Sequence, residues 1–167
     1  MTSGPSAPRT RVGWGLDAHR LDGDPPLKLG GVVVSGKHGV SATSDGDVLA
    51  HAVTDALMGA CVLGDIGEHF PSEDPLMSGV DSMFLLRQAA TMATAGGWRV
   101  SHVDVTVVAE QVRVGPYREE IIAKLADALA ADPSDVSVKA TTTDGLGFIG
   151  RGEGLAAVAV VTVVGRA

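Results

Sequence analysis

Cysteine is almost missing from this chain. Cys61 stands alone among 167 residues, so no disulfide can form within the chain, which fits a reducing compartment. Cys61 lies in the apolar run Leu57-Met58-Gly59-Ala60-Cys61-Val62-Leu63 and reads as a small packed group rather than a nucleophile. Aromatic residues make up only 4% against 45% apolar, so the core must be built from Val, Leu, Ile and Ala. Basic side chains are outnumbered, 13 to 20, for a net charge of −7. That argues against nucleic acid as a partner, which needs a basic face. It leaves an anionic substrate open, because metal ions and backbone N–H groups supply positive charge locally. No apolar run reaches membrane-spanning length, so no membrane partner is expected. Residues 1–10 are rich in Ser, Pro and Thr and lack the hydrophobic segment of a secretory signal; a short disordered leader is expected there.

The length suits one domain over residues 11–167. Alternating apolar residues predict a strand over 11–19, a strand pair over 27–34 broken at Gly30-Gly31, and strands over 98–109 and 136–143. Residues 155–164 are almost wholly apolar and predict a last strand buried on both faces. Ser44 is a suitable N-cap, with Asp47 as a capping-box-like partner. Leu49, Ala52, Val53, Ala56, Leu57, Ala60 and Leu63 then form a helical stripe that ends at Gly64. Further helices are expected over 81–95, stopped by Gly96-Gly97, and from Pro116 to about residue 131. Residues 145–154 form a Gly-rich connection. The alternation fits an open α/β or α+β layer pattern without internal repeats.

Asp17 and His19, two apart on a strand, share one face. His51 sits at the edge of the helical stripe, where a side chain can reach a neighbouring strand. One carboxylate and two imidazoles suit Zn²⁺ and leave a fourth position for substrate. Asp-x-His pairs are nevertheless common, and a helical histidine is more often packed or solvated than metal-bound; spacing alone leaves both readings open. Thr141-Thr142-Thr143-Asp144 at a strand end offers hydroxyls and N–H groups to phosphate, and a carboxylate to a hard cation such as Mg²⁺. The same residues also fit a plain turn after a strand. Arg151 suits bidentate pairing with phosphate or carboxylate, or an ion pair with Glu153. Asp65 and residues 70–74 suit either a polyol or solvent.

Together these segments resemble the 2-C-methyl-D-erythritol 2,4-cyclodiphosphate synthase family. The resemblance is carried by Gly15-Leu16-Asp17-Ala18-His19, by Ser44-Asp45-Gly46-Asp47 with His51, by Leu63-Gly64-Asp65-Ile66-Gly67, and by Lys139-Ala140-Thr141-Thr142-Thr143-Asp144 through Gly154. It runs from residue 11 to about residue 164. It implies a mixed four-stranded sheet covered by helices, assembled as a homotrimer with active sites between subunits. The implied enzyme is a cytoplasmic lyase of non-mevalonate isoprenoid biosynthesis. Its substrate is 4-diphosphocytidyl-2-C-methyl-D-erythritol 2-phosphate, whose 2-phosphate attacks the β-phosphorus, closing the cyclodiphosphate and releasing CMP.

Roles follow from the resemblance position by position. Asp17, His19 and His51 match zinc ligands, and Asp17 and His19 also face substrate. Asp144 matches the carboxylate that holds Mg²⁺ or Mn²⁺ on the diphosphate. Thr142 matches a residue that stabilises the transferring phosphorus. Asp65, Ile66 and Gly67, with Phe70, Pro71, Ser72, Glu73 and Asp74, match the segments holding the methylerythritol end. Ala109, Arg113 and Gly115, with Thr141, Thr142 and Thr143, match the enclosure of the cytidine diphosphate. Phe148 and Arg151 match positions near the three-fold axis that contact anionic ligands. Ser44 follows a departure: Thr43 stands where the family carries a histidine that contacts the phosphate arm, so Thr43 is the catalytic position at which the chain differs most. Trp14 also replaces a common histidine, Val112-Arg113 a frequent Pro-Lys, and Asp144 a common glutamate. Two other classes compete: a weakened trimer that binds nucleotide or isoprenoid diphosphates, and a zinc-dependent phosphohydrolase.

Overall fold

Two glycines decide how closely the first helix can lie on the first strand. The computed structural model describes residues 9–165. Of the leader expected over residues 1–10, residues 1–8 lie outside the described residues, and Thr10 already opens β1 (Thr10–Arg20). On β1, Gly13, Gly15, Asp17 and His19 face inward, while Val12, Trp14 and Leu16 face outward. The inward face receives α1 (Val48–Cys61). A Cβ at Gly13 would stand 1.9 Å from the carbonyl oxygen of Ala56, and one at Gly15 would stand 2.1 Å from that of Ala52. Both obstacles are helix backbone, so only glycine permits this approach.

Between them come β2 (Leu27–Leu29) and β3 (Val32–Ser35), an antiparallel pair. Their two-residue turn, Gly30-Gly31, has φ of 57° and 74°, the left-handed backbone that a type I′ hairpin requires at both positions. After α1 come α2 (Ile66–His69), α3 (Ser82–Ala95), β4 (Trp98–Val108), α4 (Arg118–Leu129), β5 (Val136–Thr141), α5 (Gly147–Gly150) and β6 (Gly154–Gly165). The main sheet has the order β1-β6-β4-β5. It is mixed: β6 pairs antiparallel with β1 and β4, and β4 pairs parallel with β5. Helices α1, α3 and α4 pack on one face. The core joins Leu49, Val53 and Leu57 of α1, Leu86 of α3, and Ile121 and Leu125 of α4 to Val103, Val105 and Val107 of β4 and Ala157, Ala159 and Val161 of β6.

Four expectations need correction. The N-cap of α1 is Asp47, not Ser44: its carboxylate accepts the Ala50 N–H at 3.0 Å. The same carboxylate accepts the N–H groups of Gly30 and Gly31, at 2.9 and 2.7 Å. A fully buried carboxylate needs several donors, and the hairpin turn supplies what Ser44 could not use. The helix ends at Cys61 with Val62 left-handed (φ 59°), before Gly64, and Leu63 donates back to the Met58 carbonyl at 2.9 Å. This closure turns Leu63 onto the core. β5 stops at Thr141, because Thr142 and Thr143 bend into a turn. Finally, β6 is buried on one face only within the chain: Val158, Val160 and Thr162 alternate with buried neighbours and are half-buried. On that outer face Val12, Trp14 and Leu16 are 63%, 62% and 50% exposed. Among the described residues, no helix is long and apolar enough to cross a membrane.

Gly15→Ala forces α1 off β1, because the clash is with main chain rather than with a flexible side chain. Overpacking of this kind costs about 1–3 kcal/mol, and each kcal/mol lowers Tm by about 2–4 °C at this size. Thermal unfolding should therefore show a loss of several degrees; an unchanged Tm would mean that α1 can slide without cost.

Candidate metal and substrate site

Because α1 lies so close to β1, its exposed edge meets the end of the strand's inward face. His51, in the first turn of α1, reaches Asp17 directly: Nδ1 lies 2.9 Å from Asp17 Oδ2. His19 Nε2 lies 3.1 Å from the same oxygen. The ring lies out of line for a hydrogen bond, so Nε2 is a buried nitrogen without a hydrogen-bond partner. The His19 and His51 rings meet edge-on, centroids 5.7 Å apart. One ligand atom from each of Asp17, His19 and His51 falls within 4.8 Å of the other two. A carboxylate and two imidazole nitrogens, one of them lacking any partner, form a donor set that fits a divalent ion such as zinc.

The electrostatics agree with this geometry. Burial pushes the Asp17 carboxyl up, but contacts with His19 and His51 and their charges outweigh it and hold it well below the usual range. Burial pushes His51 down; the Asp17 hydrogen bond and the charges of Asp17, Asp47 and Asp45 outweigh that and raise it. The site is built to hold positive charge against Asp17.

The two histidines of this cluster, but not Asp17, line a cavity of about 220 Å³. Of the expected substrate residues, His19, Thr43, Ser44, Ile66, Gly67, Phe70 and Ser72 line it, beside His51. Asp65, Glu73, Pro71 and Asp74 do not. Asp65 caps α2 through the Glu68 N–H at 2.9 Å, and Asp74 caps the turn over Pro75–Met77 through Leu76 N–H at 2.9 Å. Ala109, Arg113, Gly115, Thr141 and Thr142 come together elsewhere, around a concavity of about 320 Å³ that shares no residue with the first. Asp144 follows in a left-handed conformation (φ 51°) and is tied to Thr142, whose hydroxyl donates to Asp144 Oδ1 at 3.4 Å. Phe148 lines a third hollow with Ala18, His19, Arg20 and Glu153. Arg151 pairs with Glu153, Nε to Oε1 at 2.7 Å, which is the ion-pair alternative.

Sequence reasoning missed two carboxylate roles and one hydroxyl. Glu110 accepts the N–H groups of Thr143 and Gly145, at 2.9 and 3.1 Å, and the Thr143 hydroxyl at 3.1 Å. Those two N–H donors hold its carboxyl below the ordinary value, and they fix the turn on both sides of Asp144. No spacing signal marks Glu110, since the contact spans 33 residues. Ser82 and Asp45 meet behind His51. The one signal was Asp81, which takes the N-cap role of α3 and leaves the Ser82 hydroxyl without a capping task.

A mixed four-stranded sheet with helices on one face, and an Asp-His-His cluster whose two imidazoles line a mostly apolar cavity, define the class: an α+β protein with a candidate metal-assisted site. The model of the YgbB family matches residues 10–164, and the chain belongs to the YgbB family. Proteins named 2-C-methyl-D-erythritol 2,4-cyclodiphosphate synthase are similar to it. The one from Alkalilimnicola ehrlichii is 54% identical over 159 residues, covering 92% of this chain and 94% of the relative. The one from Shewanella halifaxensis is 49% identical over 156 residues, covering 93% and 98%. Among solved structures, the Plasmodium falciparum IspF CDP complex aligns with a TM-score of 0.83 at 30% identity, over 97% of this chain and all of that one. The bifunctional IspDF of Campylobacter jejuni aligns with a TM-score of 0.93 at 38% identity; the chain covers 43% of its length.

The Asp17–His51 pair predicts a pH dependence for the chelator-treated, metal-free protein. The Asp17 contribution is present above its ordinary 3.8 and is lost as pH falls through its depressed value. The His51 contribution is complete below its ordinary 6.5 and is lost as pH rises through its raised value. Metal-free Tm should therefore decline above neutrality in wild type, and His51→Ala should remove that decline. Identical alkaline profiles for the two proteins would show that the pair adds nothing to stability.

Proposed function

We propose that the chain converts 4-diphosphocytidyl-2-C-methyl-D-erythritol 2-phosphate to 2-C-methyl-D-erythritol 2,4-cyclodiphosphate and CMP. The observation that carries this reading is the meeting of Asp17, His19 and His51, with both imidazoles on the wall of the cavity lined by Thr43, Ser44, Ile66 and Gly67, in a chain of this family. An oxygen of the 2-phosphate forms a bond to the β-phosphorus. The bond from that phosphorus to the bridging oxygen breaks, and the oxygen leaves with CMP. The reaction is intramolecular and needs no protein nucleophile; the protein folds the substrate into attack geometry and offsets anionic repulsion.

Asp17, His19 and His51 would hold zinc, and Asp144 would hold Mg²⁺ or Mn²⁺ with the substrate diphosphate. Bound divalent ions supply charge that offsets the repulsion between two phosphate groups. Ile66, Gly67, Phe70 and Ser72 enclose the methylerythritol end, with Asp65, Pro71, Glu73 and Asp74 shaping that segment from behind. Ala109, Arg113, Gly115, Thr141 and Thr143 enclose the cytidine diphosphate. Thr142 donates to the transferring phosphoryl group, and Thr43 donates a hydrogen bond where the family's histidine would add charge.

Residues 11–167 act as one domain in a homotrimer. The apolar outer face of β1, with Val12, Trp14 and Leu16 uncovered in the single chain, supports burial against further copies. The separation of the Thr142 concavity from the zinc cavity supports a site completed between neighbours, as closed cyclic symmetry repeats it. Phe148 and Arg151 then lie near the three-fold axis, within reach of anionic ligands.

The deciding experiment incubates the protein with the diphosphocytidyl substrate and identifies products. Cyclodiphosphate with CMP is expected; a linear phosphate product would indicate a phosphohydrolase, and binding without turnover a nucleotide-binding protein. His51→Ala should lose most of about one zinc per chain and most activity. Full zinc in that variant would reassign the cluster.

Thr43→His tests the departure. One transition-state donor is typically worth on the order of 10²-fold in rate when it is central. Two ions share the load here, so turnover should stay or rise modestly, with a new pH dependence near the imidazole pKa. Loss of activity in Thr43→His would mean that the pocket has been rebuilt around threonine.

A further inference from the structure

We infer that Ser82 and Asp45 are positioning residues for His51: the Ser82 hydroxyl, committed to Asp45, takes the Nε2–H of His51 and presents Nδ1 to a metal shared with Asp17 and His19. This rests on the proposed zinc role of those three residues.

The direction of each hydrogen bond follows from the atoms. Ser82 is fully buried at the start of α3. Its Oγ lies 2.5 Å from Asp45 Oδ1 and 2.9 Å from His51 Nε2. An ionised carboxylate only accepts, so the single hydroxyl hydrogen of Ser82 goes to Asp45. The hydroxyl oxygen therefore has only lone pairs left to offer His51, and Nε2 must carry the hydrogen between them. Nδ1, 2.9 Å from Asp17 Oδ2, donates to that carboxylate here, and it is the nitrogen that can exchange its hydrogen for a metal shared with Asp17, because Nε2–H stays committed to Ser82.

Asp45 is itself anchored. Its Oδ1 also accepts the Ser82 N–H at 3.1 Å, its Oδ2 faces Lys28 Nζ at 3.3 Å, and its own N–H donates to the Val80 carbonyl at 3.0 Å. The start of α3 is thus locked to the segment that precedes α1, and rotating the hydroxyl away from Asp45 would give up a short hydrogen bond to a charged acceptor. Ser44 offers Nε2 a longer alternative at 3.2 Å. Ser44 also accepts the Gly46 N–H and lines the cavity, so its hydroxyl hydrogen remains available to a phosphate oxygen. Ser82 orients the ligand, and Ser44 stays free for substrate.

A partner of this kind, donating orientation to a ligating imidazole, typically accounts for 10- to 100-fold in metal affinity. The test compares wild type, Ser82→Ala and Asp45→Ala by zinc competition against a chromophoric chelator, independent of activity. Ser82→Ala is expected to weaken zinc about 10- to 100-fold while the metal-free protein keeps its circular dichroism. In the zinc-loaded wild type, the His51 Nε2–H should be protected from exchange in nitrogen-resolved NMR, and that protection should vanish in Ser82→Ala. Asp45→Ala keeps the hydroxyl but frees it to rotate; a loss smaller than that of Ser82→Ala is expected, and this variant carries the test if Ser82→Ala does not fold. Zinc affinity equal to wild type in both variants overturns the inference and leaves the zinc site standing. Wild type that takes up no zinc overturns the zinc reading and this one with it.

Discussion

Everything in this protein's site depends on the close approach of a helix backbone to a strand backbone. β1 presents Gly13 and Gly15 to α1, and the space that two methyl groups would fill is occupied by main-chain atoms of Ala52, Ala56 and Ala60. The small residues continue on the helix side with Ala52, Ala56 and Ala60, all buried. With the two elements so close, the next inward positions on β1, Asp17 and His19, come level with the first turn of α1 and meet His51. A wider spacing would separate the imidazole from the carboxylate and dissolve the cluster. Packing density and site geometry are here the same fact.

The second constraint is the need of buried polar groups for partners. The short segment Ser44-Asp45-Gly46-Asp47 divides its side chains among three neighbours. Asp47 holds the helix start and the Gly30-Gly31 turn together, Asp45 takes the start of α3, and Ser44 lines the cavity. Burial pushes the Asp47 carboxyl up even though three N–H groups favour its charged form. That tension is confined to the structural end of the segment. At the candidate metal site, Asp17 is held ionised between two imidazoles, the state a carboxylate needs in order to bind a cation.

The sheet has two unequal faces. One is sealed by α1, α3 and α4; the other leaves Val12, Trp14 and Leu16 exposed. Most of the expected substrate residues that line a hollow fall beside His51 or beside Thr142, with no common member, and Phe148 lines a third hollow. An apolar face without a cover and a site in separate parts are the two features on which the proposed association of copies rests; closed symmetry would answer both at once.

The sequence by itself determined the local elements and the kinds of chemistry. Alternation placed β1 and β4, the helical stripe placed α1, Asp81 and Gly96 bounded α3, and Gly30-Gly31 marked the hairpin, because these signals depend on neighbours a few residues apart. Asp17 and His19 were legible as a same-face pair for that reason, and the ordered motifs extended the reading to His51 and Thr142. Tertiary structure alone decided which polar groups satisfy one another. Asp47 rather than Ser44 caps α1 because a hairpin turn 16 and 17 residues away needs the same carboxylate. Ser82 reaches His51 across 31 residues, and Glu110 reaches Thr143 across 33. Asp65 and Asp74, which the sequence leaves open to a polyol or to solvent, also cap the backbone beside them, a contact that only the folded chain shows. A buried hydrogen bond is won by whichever group the fold brings within 3 Å or so, and that distance is set by packing, not by spacing along the chain.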